Sequence, residues 1–330
     1  MLDATDTDCF IVLHRGAIVH ESYRHGMTRD DPHLLMSMTK SVTGALAGIL
    51  VEKGQLDPDR PITGYVPEVA GTIYDGATVR QLFDMVVADP SRDARVRAGD
   101  FQGVDTAAGW LPPPPEGTEG LRKWLQTMRR PKGEDGKAFR YLTQTTTLVA
   151  WAMERAAKRD FARMLTEEIW SKLGAEQDAY VLLDGYQQAY TSPGLNVTLR
   201  DMARFGLMMA RGGRLNGQQI VPESWIHDIR TGGDPAVMAR GKGSRSMFDQ
   251  PMPGEKNESY RSFWWVTGPQ CGRFSANGLG GQLMIVDPAA DMVAVKFTSS
   301  PNPMKGGENT VTAARGIDAI IASLSGRSCR

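Results

Sequence analysis

The chain has few of the features that mark secreted, disulfide-rich or membrane-spanning proteins. Its three cysteines, Cys9, Cys271 and Cys329, are an odd number at wide spacing, which argues against a disulfide framework or a zinc cluster. The N-terminus lacks the basic stretch of a secretory signal, and no apolar run reaches the length of a membrane-spanning helix. We therefore expect a cytoplasmic protein in a reducing compartment.

An excess of either charge is also missing. The 38 basic residues balance 38 acidic ones, so the chain has no strong field with which to gather nucleic acid or an anionic membrane. A small-molecule substrate is the better expectation, without a cofactor or a metal. With 330 residues, 41% of them hydrophobic, the chain can bury the core of one large domain or two moderate ones. The oligomeric state is left open, and a homodimer is one option.

Two common hydrolase signatures are absent from the sequence. There is no G-x-S-x-G turn, which a Ser-His-Asp enzyme of the α/β-hydrolase type needs. Histidine occurs late only at His227, in the helical pattern PESWIHDI, where a surface position is expected. No H-E-x-x-H motif or other close set of histidines and aspartates indicates a metal hydrolase. The other histidines all precede the candidate nucleophile described below: His14, His20, His25 and His33.

The order of the elements predicts a sheet built from both ends of the chain. β-rich runs at 10–13 and 17–19 flank a turn, which predicts a hairpin. From Ser37 the period becomes helical, and the pattern stops at Gly54. Strand-like runs return late, in SFWWVTG, GQLMIVDP and DMVAVKFTS, before a helix expected at about 310–324.

The middle of the chain reads as mostly helical, with patterns such as TVRQLFDMV and GLRKWLQTMRR and the rigid run LPPPPEG. We therefore predict an α/β (α+β) fold, in which an antiparallel β-sheet is flanked by helices. Residues 1–56 and 191–330 would form the sheet domain, and residues 57–190 an inserted, mostly helical domain. The cleft between the two domains is the expected active site.

Ser37 and Lys40 form the only S-x-x-K match in the chain. Three residues apart at the start of a helix, the two side chains share one face. A serine needs an adjacent base, and lysine can serve as that base when burial or neighbouring cations keep it neutral. The helix N-terminus disfavours positive charge and favours an oxyanion. The alternative is that Ser37 caps the helix and Lys40 is a solvated lysine of the first turn.

A Ser-Lys pair usually needs a second proton carrier, and a tyrosine near a small hydroxyl residue is the usual type. Tyr141-Leu142-Thr143 fits this pattern. Tyr190 and Tyr260 precede similar residues, and a buried structural tyrosine is the alternative for all three. Tyr141 is favoured because a polar loop precedes a helix at that point, which lets the ring project into the edge of a cleft.

The string PHLLMSMTKSVTGALAGILVEKGQLDPDRPITGYVPEVAG resembles the nucleophile segment of the class C β-lactamase-like serine hydrolases, which include penicillin-binding-protein and esterase types. More narrowly, it is similar to the aminohexanoate-oligomer hydrolase branch. The similarity continues through FRYLTQTTTLVAWAMER, GLNVTLRDMARFGLMMARGG and GLGGQLMIVDPAADMVAV. It therefore covers nearly the whole chain and is far more specific than S-x-x-K alone.

The resemblance implies a β-lactamase-like fold in which Ser37 is acylated while Lys40 and Tyr141 share its proton. It also implies an oxyanion hole formed by the backbone N–H groups of Ser37 and Leu279, the second within a third motif at 276–279. For Trp265, a place in the core is an equally good interpretation. The expected substrate-binding residues are Thr143, Trp265, Asn277 and Gly278.

The sequence departs from the family's pattern at three places. Asn277 and Gly280 stand where relatives often carry a basic residue or a histidine, and the similar-looking stretch 242–244 lies too early. Thr145 replaces the usual asparagine after the tyrosine, which predicts weaker hydrogen bonds to the lysine. The segment VVADPSRDARVRAGDFQ, after Met85, lacks the acidic-aromatic loop associated with cleavage of nylon oligomers.

The expected function is that of a serine hydrolase, an amidase or esterase that forms an acyl-enzyme at Ser37 on a small amide or ester. One alternative is a transacylase that passes the acyl group to an amine or alcohol, and the altered segment after Met85 motivates it. A second alternative is a binding or sensing module that retains the fold, in which Thr145, Asn277 and Gly280 record lost catalysis.

Overall fold

The computed structural model describes residues 1–89, 103–112, 117–129, 133–241, 257–266, 272–302 and 305–327. Several features named above therefore lie outside the described residues. These are Cys271, Cys329, the prolines at 113–115, the stretch 242–244 and most of the segment that follows Met85.

Strands from both ends of the chain form one antiparallel sheet. In the described residues its order is β2-β1-β12-β11-β10-β9-β8. The first strand pairs with the last one, with Ile11 opposite Val295, so the two ends of the chain meet at the centre of the sheet. The strands are β1 (Thr7–His14), β2 (Ala17–Tyr23), β8 (Ser259–Arg261), β9 (Trp264–Val266), β10 (Phe274–Gly278), β11 (Gln282–Asp287) and β12 (Met292–Thr298).

Helices cover both faces of this sheet, so its central strands are buried on both sides. Every residue of β12 is buried, as expected of a strand that reads as a nearly continuous apolar run. Helix α7 (Leu199–Ala210) packs on one face so closely that a Cβ on Gly206 would lie 2.6 Å from Val293 Cγ1. The long helix α10 (Gly306–Ser325) covers the opposite face, where Met292 and Ala294 pack against its apolar side.

The remaining helices gather beside the sheet around helix α1 (Met38–Glu52). This helix is buried from Met38 to Leu50, because it lies between the sheet and the helical part of the chain and contacts both. The other helices are α2 (Val79–Phe83), α3 (Gly103–Ala107), α4 (Gly120–Gln126), α5 (Thr143–Ala157), α6 (Phe161–Glu168), α8 (Glu223–Thr231) and α9 (Pro235–Arg240).

Two smaller sheets complete the described fold. Strands β3 (His33–Leu34), β5 (Leu195–Val197) and β4 (Tyr180–Val181) pair next to the N-terminus of α1. The other is the β6–β7 hairpin, Arg214–Leu215 with Gln218–Gln219. Among the described residues, no helix is both long and apolar enough to cross a membrane.

The fold class predicted from the sequence is confirmed: helices flank an antiparallel sheet. The N-terminal hairpin and helix α1 lie where the sequence predicts them. The C-terminal helix begins at Gly306, earlier than expected, because two glycines in its first turn hide the helical pattern. Strand β8 was not predicted, since three residues carry too little periodicity. The proposed domain boundaries near 57 and 190 stay a prediction.

Candidate active site

Ser37 lies between strand β3 of the small three-stranded sheet and helix α1. Leu35 N–H donates to Leu195 O at 2.8 Å, and Met36 follows with φ +49°, a left-handed conformation that is strained for a non-glycine residue. This turn places Ser37 just before the first helical residue, Met38. Its side chain makes no capping hydrogen bond, so the structure does not support the reading of Ser37 as a helix cap.

Lys40 is buried beside Ser37. Its residue is 1% exposed, which excludes a solvated lysine of the first turn. Its Nζ lies 2.9 Å from Ser37 Oγ and 3.5 Å from the backbone oxygen of Ser192. The structure thus brings the only S-x-x-K pair of the sequence into hydrogen-bond distance.

Tyr141 contributes a third group to this centre. It stands two residues before α5, and the Lys40 Nζ lies 5.1 Å from the centroid of its half-buried ring. The two other candidate tyrosines are used differently. Tyr190 is buried and its hydroxyl donates to Asp105, whereas Tyr260 packs edge-on against Tyr141.

Trp265 reaches the site through Tyr141. Their rings stack, with centroids 5.9 Å apart and planes 17° from parallel. Phe139 and Tyr260 pack against the same tryptophan, and these four residues form an aromatic cluster. Because Trp265 is only 4% exposed, in this structure it supports the tyrosine ring rather than offering an open face to a ligand.

The hairpin that carries Trp265 is docked on the nucleophile helix. Its turn residues Ser262 and Phe263 have φ values of +51° and +65°, an uncommon pair of left-handed residues without glycine. Ser41 Oγ, in α1, donates to Phe263 O at 2.8 Å. A Cβ on Gly44 would lie 2.3 Å from Ser262 O, so only glycine allows this approach. This contact was not predicted from the sequence, although the glycine within α1 was a visible signal.

The third motif, residues 276–279, lies next to the part of the chain that precedes Ser37. Strand β10 ends at Gly278, where a Cβ would lie 2.6 Å from Leu35 O, so the backbone before Leu279 lies against the backbone that precedes the nucleophile. Leu279, like Asn277 and Gly278, is half-buried. This proximity is what an oxyanion hole from the N–H groups of Ser37 and Leu279 requires. Asn277 Oδ1 is buried without a hydrogen-bond partner in the described residues.

The group next to Lys40 Nζ is the backbone oxygen of Ser192, and not a side chain at position 145, where the family usually has an asparagine. Thr145 Oγ1 is buried and, among the described residues, has no hydrogen-bond partner. The segment around Ser192 is fixed instead, because Ser192 Oγ donates to Thr143 O at 2.6 Å. Thr43 Oγ1, in α1, donates to Thr191 O at 3.2 Å. The Ser192 oxygen near Lys40 is therefore held from both α1 and α5, and Thr143 takes part through its carbonyl group.

Asp105 is a charged group near the site that sequence reasoning missed. It lies in α3, just beyond the unusual segment after Met85, and accepts the hydrogen bond of Tyr190 at 2.9 Å. Burial raises the pKa of this carboxyl group, while Tyr190 and the positive charge of Lys40 act in the opposite direction. Asp105 is therefore near enough to Lys40 for the two charges to interact.

Together these groups can perform acyl transfer. A buried amine next to a hydroxyl can take its proton, the tyrosine can relay a proton to a leaving group, and two backbone N–H groups can stabilise an oxyanion. The described residues hold no group of three or more His, Cys, Asp or Glu side chains arranged to bind a metal.

Comparison with known proteins agrees with this geometry. A family model described as Beta-lactamase matches residues 7–318. Among curated proteins, 6-aminohexanoate-dimer hydrolase from Paenarthrobacter ureafaciens is 36% identical over 304 residues, which are 92% of this chain and 75% of that protein.

Solved structures show the same fold. A Bacillus anthracis protein, named for 6-aminohexanoate-dimer hydrolase, superposes with a TM-score of 0.82 at 28% identity, covering 100% of this chain and 82% of that one. A class C beta-lactamase from Rhodobacter sphaeroides gives a TM-score of 0.63 at 16% identity, covering 97% of both chains. The second likeness concerns the fold alone.

Proposed function

The chain belongs to the beta-lactamase family and is a hydrolase of that family, and from this premise we propose that it cleaves small amides or esters through an acyl-enzyme at Ser37. The observation that carries the proposal is the 2.9 Å distance between Lys40 Nζ and Ser37 Oγ in a buried setting. A serine hydroxyl becomes a nucleophile when an adjacent base takes its proton.

In the proposed mechanism, neutral Lys40 accepts the Ser37 proton as Oγ attacks the substrate carbonyl carbon. The carbonyl oxygen becomes an oxyanion, which the N–H groups of Ser37 and Leu279 stabilise. Tyr141 relays the proton to the leaving amine or alcohol, and the bond to the leaving group breaks. Water then attacks the acyl-enzyme, gives its proton to the same cluster and releases the acid with Ser37 restored.

Two features of the site support an amide or ester with a small acyl part. The half-buried ring of Tyr141, stacked on the buried Trp265, is an apolar surface next to Lys40, which suits the aliphatic or aromatic portion of a substrate. The Asp105 carboxylate on the helical side favours a substrate that carries a positive charge or hydrogen-bond donors. The curated relative is named for a dimer of an amino acid joined by an amide bond, and we extend that substrate class, small amides, to this chain.

The test combines covalent labelling with turnover. We expect the wild-type protein to hydrolyse a p-nitrophenyl acyl ester and to form a fluorophosphonate adduct on Ser37, located by peptide mass spectrometry. Ser37→Ala should abolish both signals. Ser171→Ala, which changes an exposed serine, should leave both unchanged. Turnover that persists in Ser37→Ala would remove this serine from the mechanism.

The same assay separates hydrolysis from acyl transfer. If the acyl-enzyme passes its acyl group to an amine or alcohol, added amines will raise the rate of leaving-group release and yield acylated amine. Hydrolysis products alone at every amine concentration would exclude the transacylase alternative for those acceptors. A stable adduct on Ser37 without turnover of any ester or amide would instead identify a sensing module.

A further inference from the structure

Three of the four residues in the turn that carries Leu279 are glycines, so the turn has few side-chain contacts with which to hold its position. Gly278 ends β10, and Gly280 and Gly281 follow Leu279 with φ values of +83° and +100°, a conformation that glycine adopts without strain. Gly281 N–H donates to Gly278 O at 3.1 Å and closes the turn. An oxyanion donor has to be fixed before the reaction begins, so groups outside the turn must fix it.

One of those groups is Lys296, a buried lysine that the proposed mechanism does not use. It lies on β12 in the alternating series with Met292 and Ala294, whose side chains face α10. The residue is 0% exposed, and its Nζ donates to Gly281 O at 3.2 Å. The turn next to the oxyanion donor is therefore tied to a cation that never reaches solvent.

The second group is the N-terminus of α10. A Cβ on Gly306, the first residue of this helix, would lie 2.9 Å from Gly280 N, so the helix starts in contact with the turn. The N-terminus of a helix carries partial positive charge. Lys296 and the helix thus place positive charge on the same side of the turn, next to Gly280 and Gly281.

We propose that Lys296 is a positioning residue for the oxyanion hole: it anchors the Gly280–Gly281 turn through Gly281 O and adds a buried positive charge beside the turn that carries the Leu279 N–H. It acts through the backbone and does not touch the substrate. The inference rests on the proposed function, because it assigns a role within that oxyanion hole. It also places the positive charge that the third motif lacks at Asn277 and Gly280 two strands away, on β12, with β11 in between.

A protonated lysine is unfavourable for stability at the buried position of Lys296. Burial lowers its pKa to about 8, against the opposing influence of Asp8, Asp6 and Cys9. On helix α10, next to Lys296, the buried residues Asn309 and Thr310 carry no charge, and the acidic Glu308 is exposed to solvent. The protonated lysine is therefore less favourable in the folded protein than in the unfolded chain. Charges kept at such a cost are typical of functional sites.

The experiment compares two substitutions of Lys296 in the full chain. Lys296→Gln keeps N–H donors but removes the charge, and Lys296→Met fills similar volume without either. A charge within about 10 Å of the oxyanion affects the rate roughly tenfold, so we expect kcat to fall about tenfold in Lys296→Gln and further in Lys296→Met. KM should change less than about twofold, because the turn acts in the transition state.

The control is Thr298→Val, which removes hydroxyl hydrogen bonds to Thr5 O and Asp6 O in the same buried layer. It should lower the melting temperature without changing kcat. Lys296→Met should keep or raise the melting temperature while it loses kcat. A kcat within twofold of wild type in Lys296→Met, or a loss carried by KM, would overturn the proposal.

The pH profile gives a readout that a merely structural role would not change. As pH rises through about 8, Lys296 loses its proton and the wild-type kcat should decline. That alkaline decline should be missing in both variants, and a decline retained in Lys296→Gln would also count against the proposal.

The rate of Ser37 phosphonylation by a fluorophosphonate supplies a second measure. It depends on the oxyanion hole and not on ester turnover, so it tests Lys296 even if no substrate is hydrolysed. An unlabelled wild-type Ser37 would instead refute the proposed function.

Discussion

One side of the candidate site is formed by side chains, and the other is formed by backbone groups. On the helical side, side chains come from α1 and from the residues just before α1 and α5: Ser37 and Tyr141 lie within a few ångströms of Lys40. On the sheet side, the turn after β10 supplies backbone N–H and is held by contacts from Leu35, Lys296 and Gly306. In the proposed mechanism, the first side carries out the proton transfers, and the second stabilises the charge of the oxyanion.

This difference determines how each side responds to change. In the proposed mechanism, loss of a side chain on the helical side removes a group that takes part in proton transfer. Loss of an anchor on the sheet side leaves the N–H donor present but less well placed. We therefore expect losses of activity on the helical side to be larger than those on the sheet side.

Removal of Lys40 should produce the largest effect. In Lys40→Ala, Ser37 Oγ loses the base that lies 2.9 Å away, and kcat/KM for an acyl ester should fall by roughly a hundredfold to ten-thousandfold. The control is Lys53→Ala in the residue that follows the same helix, whose amine pairs with Glu168 and is far more exposed. It should cost stability but leave kcat/KM unchanged.

A histidine-dependent rate would contradict this assignment. Activity that survives in Lys40→Ala but disappears when His33 is changed would transfer the role of base to the imidazole. The pH profile checks the same point, because activity that needs neutral Lys40 should rise with pH. The rising limb belongs to the coupled cluster of Ser37, Lys40 and Tyr141 rather than to one residue.

The contrast also explains what could be predicted from the sequence. Side-chain chemistry leaves a pattern, so Ser37, Lys40 and Tyr141 could be proposed from spacing and resemblance. A residue that acts through its backbone leaves little pattern in the sequence. The carbonyl oxygen of Ser192 near Lys40 is an example, because any residue type has such an oxygen. Strand β10 reads FSANG, which is poor in strand-forming residues.

Charges that act at a distance are equally hard to predict. Asp105 is one carboxylate in a short helix, and only the fold brings it towards Lys40. Lys296 stands in an otherwise apolar strand, where the local pattern does not tell whether it is exposed at an edge or buried. Both depend on contacts between segments far apart in the chain, which periodicity cannot show.

Gly281→Ala should give the next largest effect and act on the sheet side. Its φ of +100° penalises any side chain, and the added Cβ would lie 3.1 Å from Asn309 Cβ. We expect a loss of about 1–3 kcal/mol in the free energy of unfolding and a fall in kcat of roughly tenfold, because the turn beside Leu279 shifts. Urea denaturation and steady-state kinetics measure the two effects separately.

Gly217→Ala is the matched control for the backbone strain that Gly281→Ala introduces. Gly217 has φ +76° in the β6–β7 hairpin, and no atom lies within 4 Å of an added Cβ. Gly217→Ala should also lower the free energy of unfolding, but it should leave kcat unchanged. Equal kinetic effects from both alanines would mean that general destabilisation, and not the third motif, limits the rate.

The smallest effect concerns stability alone and compares one buried charge from each side. Burial raises the pKa of Glu168, in α6, but hydrogen bonds and charges from Lys53, Arg159 and Lys172 outweigh this and lower it to about 2. Its ionised form therefore stabilises the fold above pH 4.5, and this contribution is lost as pH falls towards 2. Lys296 behaves in the opposite way, since its folded pKa is lowered from 10.5 to about 8.

Between pH 8 and 10.5, the unfolded chain binds a proton at Lys296 that the folded protein has released, so this lysine makes stability rise with pH. Glu168→Gln should therefore reduce the loss of stability between pH 4.5 and 2, with activity at neutral pH unchanged. Lys296→Met should remove the gain between pH 8 and 10.5. Urea unfolding at a series of pH values measures both slopes. If the alkaline slope is the same in Lys296→Met as in the wild type, Lys296 is not the group that titrates, and its amine is not held in the buried position beside Gly281 O.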